Sequence, residues 1–262
     1  MSEKLNGSEL ASFIKERQAA QVRSLKGRKI QPKLAIFYDN DNPVILKYIS
    51  LKQQYGEDIG VEVETIKFDK SNAEELLKKS AEDRATQGII VQLPLKDVDN
   101  SVLDLIPLEK DVDGLREQSD TATAMAIHWL LTGYGVDLPK LKLAVVGRGK
   151  LVGRPLIKMW TESGYDVTVF GRDSDLNELV NFDVIVTATG APGVIKSSML
   201  KSGAIAVDAG TASEDGVIKG DLAEEVRERD DLILTPKIGG VGPLTVTMLF
   251  ERVLQACEKQ NS

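Results

Sequence analysis

The strongest constraint in this sequence is a regular alternation of short apolar runs with longer amphipathic segments, repeated along the whole chain. Runs such as Leu34–Tyr38 and Gly88–Leu95 contain no charged residue, which is typical of strands buried on both faces of a parallel sheet. The alternation predicts βαβ units and therefore an α/β fold. Strands are predicted at 34–38, 63–68, 88–95, 142–147, 167–170, 184–187, 204–208 and 232–235, and helices at 8–25, 43–55, 73–82, 121–131, 156–163 and 245–258.

The pattern restarts after Gly114, and a chain of 262 residues is long enough for two ordinary domains. We therefore predict two α/β domains with a cleft between them. The first comprises residues 1–116 together with 245–262, because the last predicted helix carries apolar residues at helical spacing and can return to pack on it. The second comprises residues 117–244 and has the βαβ order of a Rossmann-type domain.

Composition narrows the classes of function. The net charge of −7 is spread along the chain, which argues against a nucleic-acid or acidic-membrane binder, because those need a basic face. The single cysteine, Cys257, cannot form an intrachain disulfide, and no apolar run approaches a membrane span, so a cytoplasmic location is expected. His128 is the only histidine, which excludes a histidine-rich metal site, and we predict no metal.

A glycine-rich segment follows the predicted strand 142–147 and precedes a predicted helix. It reads Gly147-Arg148-Gly149-Lys-Leu-Val152-Gly153, and glycines there let backbone N–H groups approach a pyrophosphate at a helix N-terminus. The spacing GxGxxxG departs from the usual GxGxxG, so an ordinary strand-to-helix turn without a ligand is the alternative. The preceding strand favours the dinucleotide site.

The next predicted strand is followed by Arg172, where an NAD site would carry an acidic residue for the ribose hydroxyls. Arg172, alone or with Arg148, can pair with the 2′-phosphate of NADP, so we predict NADP as the cofactor. The alternative is a solvated surface arginine beside Asp173. Thr187, at the end of the following strand, and Gly190 complete the predicted cofactor site.

Four polar residues stand out in the first half of the chain. Tyr48 and Lys52 are four apart in a predicted helix and share one face, where a buried lysine with a lowered pKa can transfer protons; a surface pair is the alternative. Gln92 interrupts an apolar strand near its carboxyl end, where α/β ligand sites gather, although a satisfied core amide would also fit. Asp113 closes an acidic stretch before Gly114 that could equally be a surface turn.

These features occur in a recognisable order. The chain resembles the bifunctional methylenetetrahydrofolate dehydrogenase/methenyltetrahydrofolate cyclohydrolase family over most of its length. The motifs that carry the resemblance are Tyr48-xxx-Lys52, Gly88-Ile-Ile-Val-Gln-Leu-Pro-Leu95, Lys110-Asp-Val-Asp-Gly114, Gly147-Arg148 with Val152-Gly153-Arg-Pro155, and Gly239-Gly-Val-Gly-Pro243-Leu-Thr245.

The resemblance implies NADP-dependent oxidation of 5,10-methylenetetrahydrofolate to the 5,10-methenyl form and its hydrolysis to 10-formyltetrahydrofolate, within one-carbon metabolism and purine biosynthesis. It also implies a homodimer whose first domain binds tetrahydrofolate derivatives and carries out catalysis, while the second binds NADP. The turn 239–243 is expected to close over the cleft, with Gly240 and Pro243 as substrate contacts.

The same resemblance implies a role for each polar residue of the first domain. Lys52 assists catalysis by polarisation or proton transfer near the one-carbon bridge, and Gln92 hydrogen-bonds Lys52 and holds it. Tyr48 packs on the folate and positions it, and Asp113 hydrogen-bonds the pterin ring through its carboxylate.

The chain also departs from the family pattern. The segment between Gly114 and Thr121 is shorter than usual, and the residues usual in the family are replaced at Ile45, at Gly149, at Ile238 and over 121–124. Two alternatives therefore stay open. One is a dehydrogenase with weak or lost cyclohydrolase activity, and the other is a non-catalytic nucleotide-binding scaffold.

Overall fold

The computed structural model describes residues 4–116, 120–210, 212–214 and 217–261. The chain divides into two compact units, each with its own parallel sheet. The three-stranded unit comprises Ser12–Ala122 and Val246–Ser262, and the five-stranded unit comprises Met1–Ala11 and Thr123–Thr245. Both units alternate strands with helices, so the predicted α/β class is confirmed.

The predicted strands and helices occur in the predicted order, and three short elements between residues 212 and 227 are additional. The helices are α1 (Gly7–Gly27), α2 (Pro43–Ile59), α3 (Ala73–Glu82), α4 (Ala122–Gly133), α5 (Gly153–Glu162), α6 (Glu224–Arg227) and α7 (Val241–Gln260). The strands are β1 (Lys33–Tyr38), β2 (Glu62–Lys67), β3 (Gly88–Val91), β4 (Leu143–Val146), β5 (Val167–Phe170), β6 (Val184–Thr187), β7 (Ile205–Asp208), β8 (Ala212–Glu214), β9 (Val217–Lys219) and β10 (Ile233–Leu234).

The sheet of the three-stranded unit has the order β2-β1-β3, with all strands parallel. The four inner residues of β1 and all four of β3 are buried, as expected for a parallel sheet that is covered on both faces. Phe37 and Phe68 contact each other within this core, with 5.9 Å between ring centroids. The carboxyl ends of β1 and β3 therefore lie side by side, and the loops that follow them share one edge.

Helix α7 packs in the three-stranded unit over most of its length. Tyr55 stacks on Phe250 with 5.0 Å between ring centroids, and Gln18 Nε2 donates to the Thr247 carbonyl at 3.1 Å. Cys257 is fully buried on the same helix, and burial raises the pKa of its thiol to about 11, as expected for a structural thiol. The predicted return of the last helix to the first domain is confirmed.

The sheet of the five-stranded unit has the order β10-β7-β6-β4-β5, again with all strands parallel, and β8 and β9 form a separate antiparallel hairpin. Its core is mainly aliphatic and also contains Phe170, and Trp160 is the largest fully buried side chain of the unit. In this order β4 and β6 are central neighbours, so the loops that follow them lie together at the carboxyl edge of the sheet, where ligands of doubly wound sheets bind.

The first residues of the chain belong to the five-stranded unit, which differs from the expected first domain of 1–116. Lys4 forms a parallel bridge with Leu234, and the Leu5 N–H donates to the Leu234 carbonyl at 2.9 Å. The segment thus extends the hydrogen bonding of β10. This pairing joins residues far apart in the sequence, so the local hydrophobic pattern could not predict it.

Several predicted boundaries shift in the structure, and three of the shifts lie near the candidate sites. The strand predicted over 88–95 ends at Val91, and the next N–H, that of Gln92, donates to the Phe37 carbonyl at 2.8 Å. Helices α5 and α7 begin earlier than predicted, because Pro155 and Pro243 lie in their first turns, where a residue needs no intrahelical N–H bond. None of the helices in the described ranges is long and apolar enough to cross a membrane.

Candidate active site

Helix α2 presents a lysine among buried aliphatic residues. The Asn42 side chain caps its start by accepting the Val44 N–H at 2.9 Å, and Gly60 ends it in the left-handed conformation with a φ of 85°. A buried stripe runs along the helix with one residue every three or four positions. It consists of Ile45, Ile49, Lys52, Gly56 and Ile59. An ammonium group in such a stripe needs a polar partner, because its burial alone is unfavourable.

Gln92 supplies that partner. Lys52 Nζ donates to Gln92 Oε1 at 2.6 Å, and Gln92 Nε2 donates to the Leu93 carbonyl at 3.2 Å, so both ends of the amide are engaged. Only 7% of Lys52 is exposed, and burial lowers the pKa of its ammonium group, although the negative charge of Asp113 opposes that shift. The structure therefore brings together Lys52 and Gln92, which are 40 residues apart in the sequence.

The loop that carries Asp113 runs beside β3 and is held by hydrogen bonds. Asp111 forms a bridge with Ile89, and its carboxylate accepts the N–H groups of Gly114, Leu115 and Arg116 at 2.9 to 3.1 Å. Gly114 has a φ of 72°, and a Cβ there would lie 2.0 Å from a backbone oxygen, so only glycine fits this turn. Asp111, and not Asp113, is thus the capping carboxylate of the acidic stretch.

Asp113 is a half-buried carboxylate that interacts electrostatically with Lys52 of the buried stripe and with Asp111 of its own loop. Burial raises the pKa of its side chain, the positive charges of Lys52 and Arg252 oppose that rise, and the negative charge of Asp111 adds to it. Lys52 and Asp113 are therefore coupled through their charges, and both lie in the three-stranded unit near the carboxyl ends of its strands.

Tyr48 lies one turn before Lys52 on α2 and is 38% exposed. Val44 and Leu51 occupy the same side of the helix and are also exposed, which gives an apolar surface next to the buried lysine. A ring that is open to solvent beside a polar buried pair can pack on an aromatic ligand.

The glycine-rich turn of the five-stranded unit is built by close backbone contacts. Gly147 has a φ of 106°, and a Cβ there would lie 2.5 Å from the Ala188 carbonyl oxygen. A Cβ at Gly153, the first residue of α5, would lie 2.1 Å from the Gly147 carbonyl oxygen. Gly149, in contrast, faces open space, and Val152 precedes α5 as its half-buried capping residue. This strand–turn–helix geometry fits a pyrophosphate at the N-terminus of α5.

Cationic side chains gather beside this turn. Arg148 is exposed, and its Nε lies 3.9 Å from the position of a Cβ at Gly171, so the guanidinium extends toward the end of β5. Arg172, the next residue, is exposed as well. Arg148, Arg154 and Lys158 also line one open depression along α5 and β5. Arg172 therefore lies just beyond β5, and the Arg148 side chain extends from the glycine turn toward the same strand end, the position where dinucleotide-binding folds read the ribose.

The end of β6 is held by a carboxylate that the sequence analysis did not single out. Thr187 is fully buried, and its hydroxyl donates to Asp221 Oδ2 at 2.5 Å, while the Thr189 N–H donates to the same oxygen at 2.7 Å. Gly190 follows in an exposed turn with a φ of 68°. The Thr187 side chain is thus engaged inside the protein, and of the two predicted residues only Gly190 is exposed.

The turn around Gly240 contacts the N-terminal segment. The Ser8 N–H donates to the Gly239 carbonyl at 3.0 Å, and Gly240 is buried against Gly7. Pro243 lies in the first turn of α7. In the described part of the chain, no group of three or more histidine, cysteine, aspartate or glutamate residues could hold a metal ion.

The tetrahydrofolate dehydrogenase/cyclohydrolase catalytic domain matches residues 5–113, and the NAD(P)-binding domain of the same family matches residues 121–261. The bifunctional protein FolD of Desulforamulus reducens is 35% identical over 280 residues, which cover 99% of this chain and 98% of that protein.

Solved structures show the same family relationship. The bifunctional enzyme FolD of Campylobacter jejuni is 30% identical and covers 99% of both chains with a TM-score of 0.92. The methylenetetrahydrofolate dehydrogenase-cyclohydrolase of Trypanosoma brucei, solved in complex with NADP cofactor and inhibitor, is 25% identical and covers 98% of both chains with a TM-score of 0.89. With both domains matched in order along nearly the whole chain, the protein belongs to the tetrahydrofolate dehydrogenase/cyclohydrolase family.

Proposed function

We propose that this protein is a bifunctional one-carbon folate enzyme. It oxidises 5,10-methylenetetrahydrofolate to 5,10-methenyltetrahydrofolate with NADP and hydrolyses that product to 10-formyltetrahydrofolate. The observation that carries the proposal is the buried Lys52 ammonium group, hydrogen-bonded to Gln92 at 2.6 Å and electrostatically coupled to Asp113. A protein that only binds nucleotides has no use for such a group, because burying it costs stability.

Lys52 is the proposed proton-transfer group. Burial lowers the pKa of its ammonium group, so a larger fraction is neutral near neutral pH than for a solvated lysine. Hydrolysis adds one water to the methenyl carbon and releases one proton, which the neutral amine can accept. Gln92 keeps the amine in position by accepting from it, since the other end of the amide is fixed on the Leu93 carbonyl. NADP, when bound, supplies the hydride acceptor for the oxidation.

Asp113 and Tyr48 are the proposed folate-binding residues. A carboxylate can accept two parallel N–H bonds from the amino-pyrimidinone edge of a pterin, and few other side chains match that donor pair. The exposed Tyr48 ring can pack on the folate next to Lys52. Gly240 and Pro243 remain predicted substrate contacts on the resemblance alone.

NADP is the proposed cofactor, bound through Gly147, Arg148, Gly149, Val152 and Gly153. The cradle that a Cβ at Gly147 or Gly153 would fill supports a pyrophosphate there. A second group of residues extends the proposed site beyond the glycine turn. It consists of Arg172, Thr187 and Gly190. The exposed guanidinium groups of Arg148 and Arg172 support NADP over NAD.

The proposal extends to domain roles, assembly and location. The three-stranded unit is the proposed catalytic domain, and the five-stranded unit, which includes the first residues of the chain, is the proposed NADP-binding domain. The family resemblance supports a homodimer in the cytoplasm that feeds purine biosynthesis.

A dehydrogenase with weak cyclohydrolase activity is the second candidate, favoured by the shortened stretch 115–120, of which residues 117–119 lie outside the described residues. Two assays on the purified chain separate the candidates. NADPH formation from 5,10-methylenetetrahydrofolate, followed by absorbance, tests the dehydrogenase. Loss of 5,10-methenyltetrahydrofolate above the rate in buffer tests the hydrolysis. Absence of both activities in a folded protein would contradict the proposal, and absence of the second alone would favour the dehydrogenase.

A further inference from the structure

Arg252 lies on α7 and has none of the roles described so far. Its Nη1 donates to the Val112 carbonyl at 3.1 Å, and Val112 directly precedes Asp113. Arg252 is half-buried. A surface arginine without a specific partner would keep its guanidinium group in solvent. The C-terminal helix thus delivers a charged group to the loop that carries the proposed pterin-binding carboxylate.

Packing holds the Arg252 backbone firmly in place. Val253, the next residue, packs together with Val112 over Gly88, where a Cβ would lie 2.7 Å from the Val253 side chain and 2.9 Å from that of Val112. Val112 and Val253 are both buried. Helix α7, strand β3 and the acidic loop therefore meet at one point, and the guanidinium group approaches the loop from a fixed direction.

Asp113 is consequently held from several sides. The peptide bond before it is fixed by Arg252, and its own carbonyl accepts the Ala122 N–H at 3.1 Å. The charged groups that act on its side chain are Lys52 from α2, Arg252 from α7 and Asp111 from its own loop, and Arg252 also interacts with Asp120. Lys52 and Arg252 are the two cations that act on the Asp113 carboxylate, and Arg252 is the one that the proposed mechanism does not use.

We propose that Arg252 is a positioning residue for Asp113: it fixes the peptide bond before Asp113 and keeps the Asp113 carboxylate ionised, so that the carboxylate can accept the donor pair of a pterin. This inference rests on the proposed function for its ligand, whereas the coupling between Arg252 and Asp113 can be measured without any ligand. Arginine suits the task because its planar group can bind a carbonyl and neutralise nearby carboxylates at once.

The test compares three variants of the whole chain. Arg252→Gln removes the charge and keeps an amide donor for the Val112 carbonyl. Arg252→Lys keeps the charge. Arg17→Gln is the matched control, because Arg17 pairs at 2.6 Å with Glu251, the residue next to Arg252, and has a side chain that is 54% exposed. The readouts are the pH profile of kcat/KM for 5,10-methenyltetrahydrofolate and the titration of the Asp113 carboxyl by carbon NMR, assigned with Asp113→Asn.

Removal of a nearby positive charge makes the Asp113 carboxyl group harder to ionise. When the pH is lowered, the variant should therefore lose activity at a higher pH than the wild type does. In Arg252→Gln we expect the acidic limb and the Asp113 titration to move up by about one pH unit. The KM for the folate should rise about tenfold below that limb, while kcat and the KM for NADP change little. Arg252→Lys and Arg17→Gln should titrate as wild type does.

An unchanged Asp113 titration in Arg252→Gln would overturn the inference. A shifted acidic limb in Arg252→Lys would overturn it as well, and this second measurement decides the question if the glutamine variant does not fold. The NMR titration in the absence of folate separates this inference from the proposed function. A wild type that is inactive on folates would refute the proposed function and leave the titration to decide the role of Arg252.

Discussion

The two candidate ligand sites use opposite physical means. In the three-stranded unit, Lys52 is buried and Asp113 is half-buried, and burial lowers the pKa of the first and raises that of the second. In the five-stranded unit, Gly147 and Gly153 bring backbone segments into close contact, and Arg148 remains exposed. The first site shifts the pKa values of its side chains by burial. The second keeps its arginine charge exposed to solvent and depends on the conformation of its backbone.

The difference matches what each ligand would demand. A proton-transfer group works best when its pKa lies near the working pH, and burial is the means of moving it there. Recognition of a phosphate instead needs a permanently charged donor and backbone N–H groups at a helix N-terminus. Substitutions in the first site should therefore act on kcat or on folate binding, and those in the second on cofactor binding and local stability.

Substitution of the buried lysine is expected to have the largest effect. Lys52→Met keeps an apolar stem in the buried stripe and removes the amine, so hydrolysis should fall by about 10²- to 10⁴-fold with the fold intact. Wild-type hydrolysis should rise with pH through the lowered pKa of Lys52, and this rise should be absent in the variant. Cyclohydrolase assays and circular dichroism measure both. Lys47→Met, on the exposed side of the same helix, is the control. A folded Lys52→Met protein that retains most of its activity would remove Lys52 from the mechanism.

The next largest effect is expected at Asp113. Asp113→Asn replaces one acceptor oxygen with a donor, so the folate affinity should fall by about tenfold to a hundredfold, with both activities reduced together and NADP affinity nearly unchanged. Asp111→Asn should instead lower the melting temperature, because Asp111 accepts three backbone N–H groups of the loop. Calorimetry with folate and thermal unfolding distinguish the two. Normal folate affinity in stably folded Asp113→Asn would exclude it from the site.

The glycine turn offers a matched pair of substitutions. Gly153→Ala forces a Cβ toward the Gly147 carbonyl oxygen, 2.1 Å away, and should reduce the free energy of unfolding by about 1–3 kcal/mol together with NADP affinity. Gly149→Ala places its Cβ in open space and should change stability by less than about 0.5 kcal/mol. Denaturant unfolding and NADP titration measure the pair. Equal stability of the two variants would contradict the role assigned to close backbone contact.

The smallest effect is expected from the exposed arginines. Arg172→Ala should raise the KM for NADP about tenfold and that for NAD much less, because NAD has no 2′-phosphate to lose. Arg148→Ala is the companion variant, since its guanidinium group extends toward the end of β5. Steady-state kinetics with both cofactors provide the measurement. Equal effects on the two cofactors, or faster turnover of NAD by the wild type, would refute the preference for NADP.

Local patterns predicted most elements of the fold. The strands at 167–170 and 184–187 have the predicted bounds, because each is a short β-branched run between turn residues. The sequence also drew attention to Gln92 as an amide in an apolar strand, and the structure gives it a buried partner. The start of α7 was predicted too late, since glycines before Pro243 resemble a turn.

Other residues of the site could not be predicted, because their roles depend on distant partners. Arg252 lies 140 residues from Val112 and looks like an ordinary polar residue of an amphipathic helix. Asp221 lies 34 residues from Thr187 and accepts a hydrogen bond from the Thr187 hydroxyl. Periodicity along the chain reports which face of an element is buried, but it does not report which residue of another element meets it there.

The assignment of α7 to the three-stranded unit bears on how the protein is made. The chain passes from one unit to the other at residues 11–12, 122–123 and 245–246, so neither unit is a single continuous stretch. The ribosome releases β1, β2 and β3 long before Phe250, the ring that stacks on Tyr55. The first sheet must therefore wait for α7, and the unit that holds Lys52 cannot be completed until the whole five-stranded sheet has also been synthesised.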